Sequence, residues 1–316
     1  MYAFRSFLAL GFLLLVCCSC DDDDGTISVG LLAEHRGVYI NDFYTGGILG
    51  DMALEDNLLA WVDENDFTDV YLYNIGDALG DEKDDDLRAF VKKAHNQATP
   101  VKVSFVSAGH GDSFTEIEEY HDGRKDSRPD GILSEIEFWN NPKTFAADYA
   151  PWIVKVNDLK FTPPPGEFVP LNPGVSRQFY IGKIKDPGQP PSLAIAKELV
   201  MNHDQIFLTN YHTDAWELSG SIEENAIVPK LNLLAQAGME LNMEVNIVIL
   251  FNVNVDSGSA FIWDYFATTG MDNEFENAFV NWSGEYDAST DITNKAFLKI
   301  TGFGIYRYSD ALAARP

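Results

Sequence analysis

The sequence predicts an α/β protein folded as a single (β/α)8 TIM barrel, and three observations predict it. Short runs rich in β-branched and aromatic residues alternate with segments of helical period along the chain. Eight strand candidates can be picked out between residues 37 and 306. A length of 316 residues, 46% of them hydrophobic, suits one barrel of about 250 residues with its loops. A doubly wound open sheet shares the alternation. It is the weaker reading, because no Gly-rich phosphate loop follows the first strand.

Taken in order, the chain opens with Arg5 ahead of an unbroken apolar run, Phe7 to Val16. That run is too short to span a bilayer and suits the core of a signal peptide. All 3 cysteines follow it: Cys17, Cys18 and Cys20. The rest of the chain therefore has no disulfide framework and no cysteine metal site or nucleophile. An apolar core ending in small residues and cysteine resembles a bacterial lipoprotein signal. Cys20, preceded by Ser19, is the expected lipidation site, and Cys18 is the alternative. The run Asp21–Asp24 resembles the acidic export signal of surface lipoproteins in Bacteroidetes-type bacteria. The expected organisation is a signal peptide at 1–20, an acidic linker at 21–29 and the barrel at 30–316. The resemblance implies an outer-membrane lipoprotein, at the cell surface or in the periplasm, that meets the membrane through its lipid anchor. A secretory signal with a solvated linker is the plainer reading.

The strand candidates are 37–42, 69–75, 101–107, 131–137, 178–184, 205–211, 245–252 and 299–306. Between them, Leu54, Leu58, Leu59 and Val62 fit one helical face. Leu87, Phe90, Val91 and Ala94 fit a second, and Ile227, Leu231, Leu234 and Leu241 a third. Segments 143–159, 191–202 and 272–281 carry weaker helical patterns. Residues 108–129 and the proline-rich 161–176 read as long loops after strands, where barrels build binding surfaces. Net charge is −27, which repels phosphate backbones and makes nucleic acid an unsuitable partner.

The chemistry centres on "PDGILSEIEFWNN", residues 129–141. Side chains alternate along a strand, so Leu133, Glu135 and Glu137 share a face. In a barrel that face points to the lumen or its mouth, and Glu137 lies toward the C-terminal, active-site end. Carboxylates about 6–7 Å apart perturb each other, so at least one should hold a proton near neutral pH. For general acid catalysis that proton is expected on Glu137, raised by burial and by Glu135 beside it.

"DGILSEIE" resembles the fourth-strand signature of family 18 glycoside hydrolases, the chitinases and endo-β-N-acetylglucosaminidases, written DGxDxDxE. Asp130 and Gly131 match its start, Glu137 its catalytic acid, and Glu135 the neighbouring aspartate with one more methylene. Leu133 stands where the inner aspartate would be. "SAGHG" at 107–111 resembles the family's SxGG turn, with His110 for the second glycine. "LTNYHTD" at 208–214 resembles its MxYD motif, with Tyr211 on the tyrosine and His212 on the aspartate. Tyr306 or Tyr308 would replace the tryptophan that floors the sugar site.

The resemblance implies hydrolysis next to N-acetylglucosamine in chitin-like or N-glycan substrates, with the substrate's own acetamido oxygen as nucleophile. Glu137 would protonate the leaving oxygen and Glu135 would stabilise the oxazolinium. Tyr211 would bind the acetamido oxygen. Asp130, Trp139, His110, His212, Asp214, Trp216, Trp263 and Tyr306 complete the expected binding set, with no cofactor and no metal. His110, His212 and Asp214 lack HxxxH or HExxH spacing, and a Ser/His/Asp triad lacks a nucleophile elbow. The alternative reading is a non-catalytic glycan-binding lipoprotein whose barrel is degenerate at Leu133.

Cys20→Ala is expected to release the protein from the membrane fraction. If that variant still fractionates with membranes and Cys18→Ala does not, the anchor is at Cys18.

Overall fold

The structure is a computed structural model and describes residues 33–107, 116, 117, 120, 127–159, 175–210, 227–253 and 275–314. The apolar runs form eight parallel strands: β1 (His35–Ile40), β2 (Asp69–Leu72), β3 (Lys102–Ser107), β4 (Gly131–Ser134), β5 (Ser176–Ile181), β6 (Gln205–Asn210), β7 (Val245–Asn252) and β8 (Leu298–Tyr306). Each pairs with the next, and β8 pairs with β1 from His35↔Gly302 to Val38↔Ile305, closing the barrel. Closure removes both sheet edges, so every strand finds two partners. The strands are buried on both faces, which is why they read as nearly continuous apolar runs.

The described helices are α1 (Met52–Glu64), α2 (Ile75–Gly80), α3 (Asp84–His95), α4 (Ala150–Leu159), α5 (Leu193–Asn202), α6 (Ile227–Leu241), α7 (Phe275–Ala288) and α8 (Tyr308–Ala314). Local chemistry sets several of their ends. Asp51 caps α1 by accepting from the N–H groups of Ala53 and Leu54. Helix α3 begins on Asp84, Asp85 and Asp86 and ends among Lys92, Lys93 and His95, complementing its dipole at both ends. Its expected face, Leu87, Phe90, Val91 and Ala94, is the buried one. On α1 the expected face is corrected at one position. Leu54 is exposed, and Glu55 is buried in its place. Glu55 accepts from Lys93 Nζ at 2.8 Å and from the Gly50 N–H at 3.0 Å, which satisfies its carboxylate. Among the described residues no helix is long and apolar enough to cross a membrane.

Alternation along the strands makes two cores. The larger lies between barrel and helices. The smaller fills the lumen with Tyr39, Tyr71, Val106, Leu133, Phe207, Val248 and Leu250. Tyr71 and Phe207 meet edge to face with centroids 5.0 Å apart, and Tyr39 lies 5.0 Å from Tyr71. Two glycines paired across β1 and β8 make room in the lumen, Gly37 for the Tyr71 ring and Gly304 for Leu250. A Cβ on Gly37 would stand 2.2 Å from the Tyr71 hydroxyl and 2.3 Å from its ring.

Gly37→Ala is therefore expected to lower stability by about 1–3 kcal/mol, the usual cost of overpacking. Urea unfolding followed by circular dichroism checks it. A midpoint equal to wild type would mean that Tyr71 has space elsewhere in the lumen.

Candidate active site at the barrel mouth

Strand β4 ends at Ser134, three residues before the expected end. The ladder continues for one more bond, from the Glu135 N–H to the Ser107 carbonyl at 3.0 Å. The chain then turns. Phe138 N–H donates to the Ile136 carbonyl at 2.8 Å, and Asn140 N–H to the Glu137 carbonyl at 3.0 Å. Both acids thus leave the C-terminal end of β4 on a short turn rather than on a strand. Leu133 is fully buried in the lumen core, as alternation requires.

Glu135 is partly accessible and its carboxyl is packed into the mouth, where its Oε2 accepts from the Tyr73 hydroxyl. Its pKa is raised to about 7, first by burial and then by the nearby Glu137 carboxylate. The hydroxyls of Tyr73 and Tyr39 oppose the rise by favouring the ionised form. The near-neutral proton assigned to Glu137 from the sequence thus finds its physical cause at Glu135. Glu137 sits in the turn, where Asn140 Nδ2 donates to its Oε2 at 2.7 Å.

Tyrosines floor the mouth. Tyr73 and Tyr306 each pack on Tyr39, with centroids 5.7 and 5.6 Å away. The Tyr306 hydroxyl accepts from Asn41 Nδ2 at 3.2 Å. Of the two tyrosines offered for the sugar floor, Tyr306 has this position. Tyr308 packs outside the barrel against Trp61, 5.0 Å away.

Two expected binding residues are corrected. Asp130 precedes β4, roughly 17 Å of strand from Glu135 at the opposite end of the barrel. There its Oδ2 accepts from the Val103 N–H at 2.8 Å and lies 2.9 Å from His95 Nε2, tying β3 to α3. Trp139 is only 6% exposed. It packs on Phe138 and Tyr180 and against Gly182, where a Cβ would come within 2.9 Å of its ring. The ring is thus packed into the core rather than presented at the surface. Tyr211, His110, His212, Asp214, Trp216, Trp263, Cys18 and Cys20 lie outside the described residues.

Sequence reasoning missed Tyr39, Asn41, Tyr73 and Asn140. A signal for Tyr73 was present, because Tyr71 and Tyr73 alternate in "DVYLYNI" and the second falls at the mouth end of that strand. What placed it beside Glu135 is barrel curvature, which no local pattern carries.

No family model matches the sequence and no curated protein matches it. Solved structures are similar to this chain at low identity. A class V chitinase from Nicotiana tobaccum is 13% identical, with TM-score 0.49, over 87% of this chain and 94% of that one. A xylanase and α-amylase inhibitor protein from Scadoxus multiflorus is 13% identical, with TM-score 0.46, over 89% and 95%. Concanavalin B is 13% identical, with TM-score 0.45, over 88% and 93%. An aldolase matches at 11% identity with TM-score 0.41 and similar coverage.

The raised Glu135 pKa has a consequence for stability. The folded state keeps a proton that the unfolded state, with its ordinary value of 4.5, releases. Stability from this group is complete below about pH 4.5 and is lost as pH rises through about 7. Glu135→Gln removes that loss. Its stability relative to wild type should climb between pH 5 and pH 8, by at most about 3 kcal/mol, seen as a growing difference in melting temperature. A difference that stays constant with pH would show that the carboxyl titrates as in a free peptide.

Proposed function

We propose that this protein is a glycoside hydrolase that cleaves bonds next to N-acetylglucosamine in chitin-like or N-glycan substrates, anchored to the outer membrane through Cys20. One observation carries the reading. Two carboxyls, electrostatically coupled, leave the C-terminal end of a barrel strand above a tyrosine floor, and one of them titrates near neutrality. The two carboxyls hold one proton between them near neutrality. With substrate bound that proton sits on Glu137, on the outer turn, which donates it to the leaving glycosidic oxygen and then takes one from water. The substrate's acetamido oxygen is the nucleophile, so the protein supplies no carboxylate for that step. Glu135, ionised, orients the acetamido N–H and stabilises the positive oxazolinium. Tyr211 would hold the acetamido oxygen, and the Tyr306 ring offers an apolar face to the sugar.

The last proton held by the two carboxyls, lost near pH 7, is the one that acid catalysis needs, so turnover should fall as pH rises through about 7. Glu137→Gln should cut the rate by about 10²–10⁴ and leave oligosaccharide binding intact. Sugar release from chitin oligomers and N-glycopeptides measures both.

A second reading is a glycan-binding protein without turnover, and Leu133 favours it. This side chain below Glu135 is wholly buried among apolar neighbours, so β4 offers no further acid to share the charge. Wild-type protein that binds N-acetylglucosamine oligomers but releases no sugar, with Glu137→Gln indistinguishable, would establish the binder in place of the enzyme.

A further inference from the structure

The hydroxyl of Tyr73 is bonded to Glu135 across the barrel mouth. The two residues directly follow β2 and β4, which lie on either side of β3. With strands about 4.8 Å apart, their backbones stand roughly 10 Å from each other. A tyrosine and a glutamate together bridge that gap. With both backbones and side-chain directions kept as they are, removing one methylene from Glu135 withdraws its carboxyl from the Tyr73 hydroxyl by about one carbon–carbon bond, roughly 1.5 Å.

The groups facing Glu135 leave Tyr73 as the main opposition to its neutral form. Among the described residues, Leu133 lies below it and Val106 of β3 joins the same apolar cluster. Glu137 on its own turn adds like charge. Tyr39 of β1 contributes a second, smaller stabilisation of the anion. Tyr306 of β8 packs on Tyr39 and bonds Asn41, and Tyr180 of β5 packs against the lumen cluster. Besides burial, the groups acting on this carboxyl are Tyr73, Glu137 and Tyr39.

We infer that Tyr73 is a positioning residue matched to the length of Glu135: it holds the carboxyl at the β2 side of the mouth in its charged form, and a shorter acid at 135 would lose it. The inference rests on the glycosidase reading for its effect on turnover, but not for its effect on titration.

The test titrates the full chain carrying carbon-13 carboxyl labels on glutamate and aspartate, with Glu135→Gln identifying the resonance. Wild type should show a midpoint near 7. Tyr73→Phe keeps the ring and removes one hydrogen bond to a charged group. Its midpoint should move up by roughly one to two pH units, and the alkaline limb of turnover should move with it. In a Glu135→Asp background the same change should move the midpoint far less, because the bond is already absent. Glu135→Asp alone should lower turnover, which keeps the inference testable if Tyr73→Phe does not fold. A midpoint unmoved by Tyr73→Phe, or moved equally in both backgrounds, overturns the assignment. A shifted midpoint in a protein that hydrolyses no glycan would retain Tyr73 as the positioning residue and remove the glycosidase reading instead.

Discussion

Closure of eight parallel strands leaves a lumen that water cannot usefully fill and that side chains must. Here Tyr39, Tyr71, Val106, Leu133, Phe207, Val248 and Leu250 fill it. The rest of the molecule follows from that plug. It fixes which parity of each strand faces inward, and so which parity faces the helices. It needs the glycine pair Gly37 and Gly304, because Tyr71 lies where a side chain at 37 would be and Leu250 where one at 304 would be. It also gives the mouth a dry floor, on which any polar group arriving from a strand end is partly desolvated.

That floor explains the electrostatics of the site. A carboxyl on an apolar base beside a second carboxyl loses the hydration that would keep it ionised. Two phenol hydroxyls return part of it. The outcome is an acid poised near neutrality, with each opposing cause traceable to a named neighbour. Lys230 shows the same physics with the opposite sign. Buried behind β6, it is lowered to about 7 first by burial and then by Lys183, while its Nζ donates to the Thr209 carbonyl at 2.6 Å. His203 is lowered to about 3, chiefly by burial, and lies 3.0 Å from the Tyr149 hydroxyl. Burial alone therefore does not mark a functional group. What separates Glu135 is its place at the mouth with a second acid beside it.

The two ends of β4 divide stability from chemistry. Asp130 at the N-terminal end serves the backbone of β3 and the ring of His95. Glu135 and Glu137 at the other end serve the mouth. A motif read along one strand joins residues that lie at opposite ends of the barrel. Matching a pattern assigns all its members to one site, whereas geometry keeps only those at the mouth.

By itself the sequence determined the barrel. All eight strands were legible, because doubly buried parallel strands must be written as apolar runs and the helices between them as amphipathic faces. It also determined that the two acids fall at the end of a strand, since alternation and position along the chain are local properties. Tertiary structure decided the partners. Tyr73 reaches Glu135 only because curvature brings β2 toward β4 over β3. Trp139 became core because Gly182, far along the chain, leaves space for its ring. Glu55 could be buried only because Lys93 on another helix meets it. Each of these depends on which distant residue fills the facing space, and that is set by packing in three dimensions, where sequence periodicity has no reach.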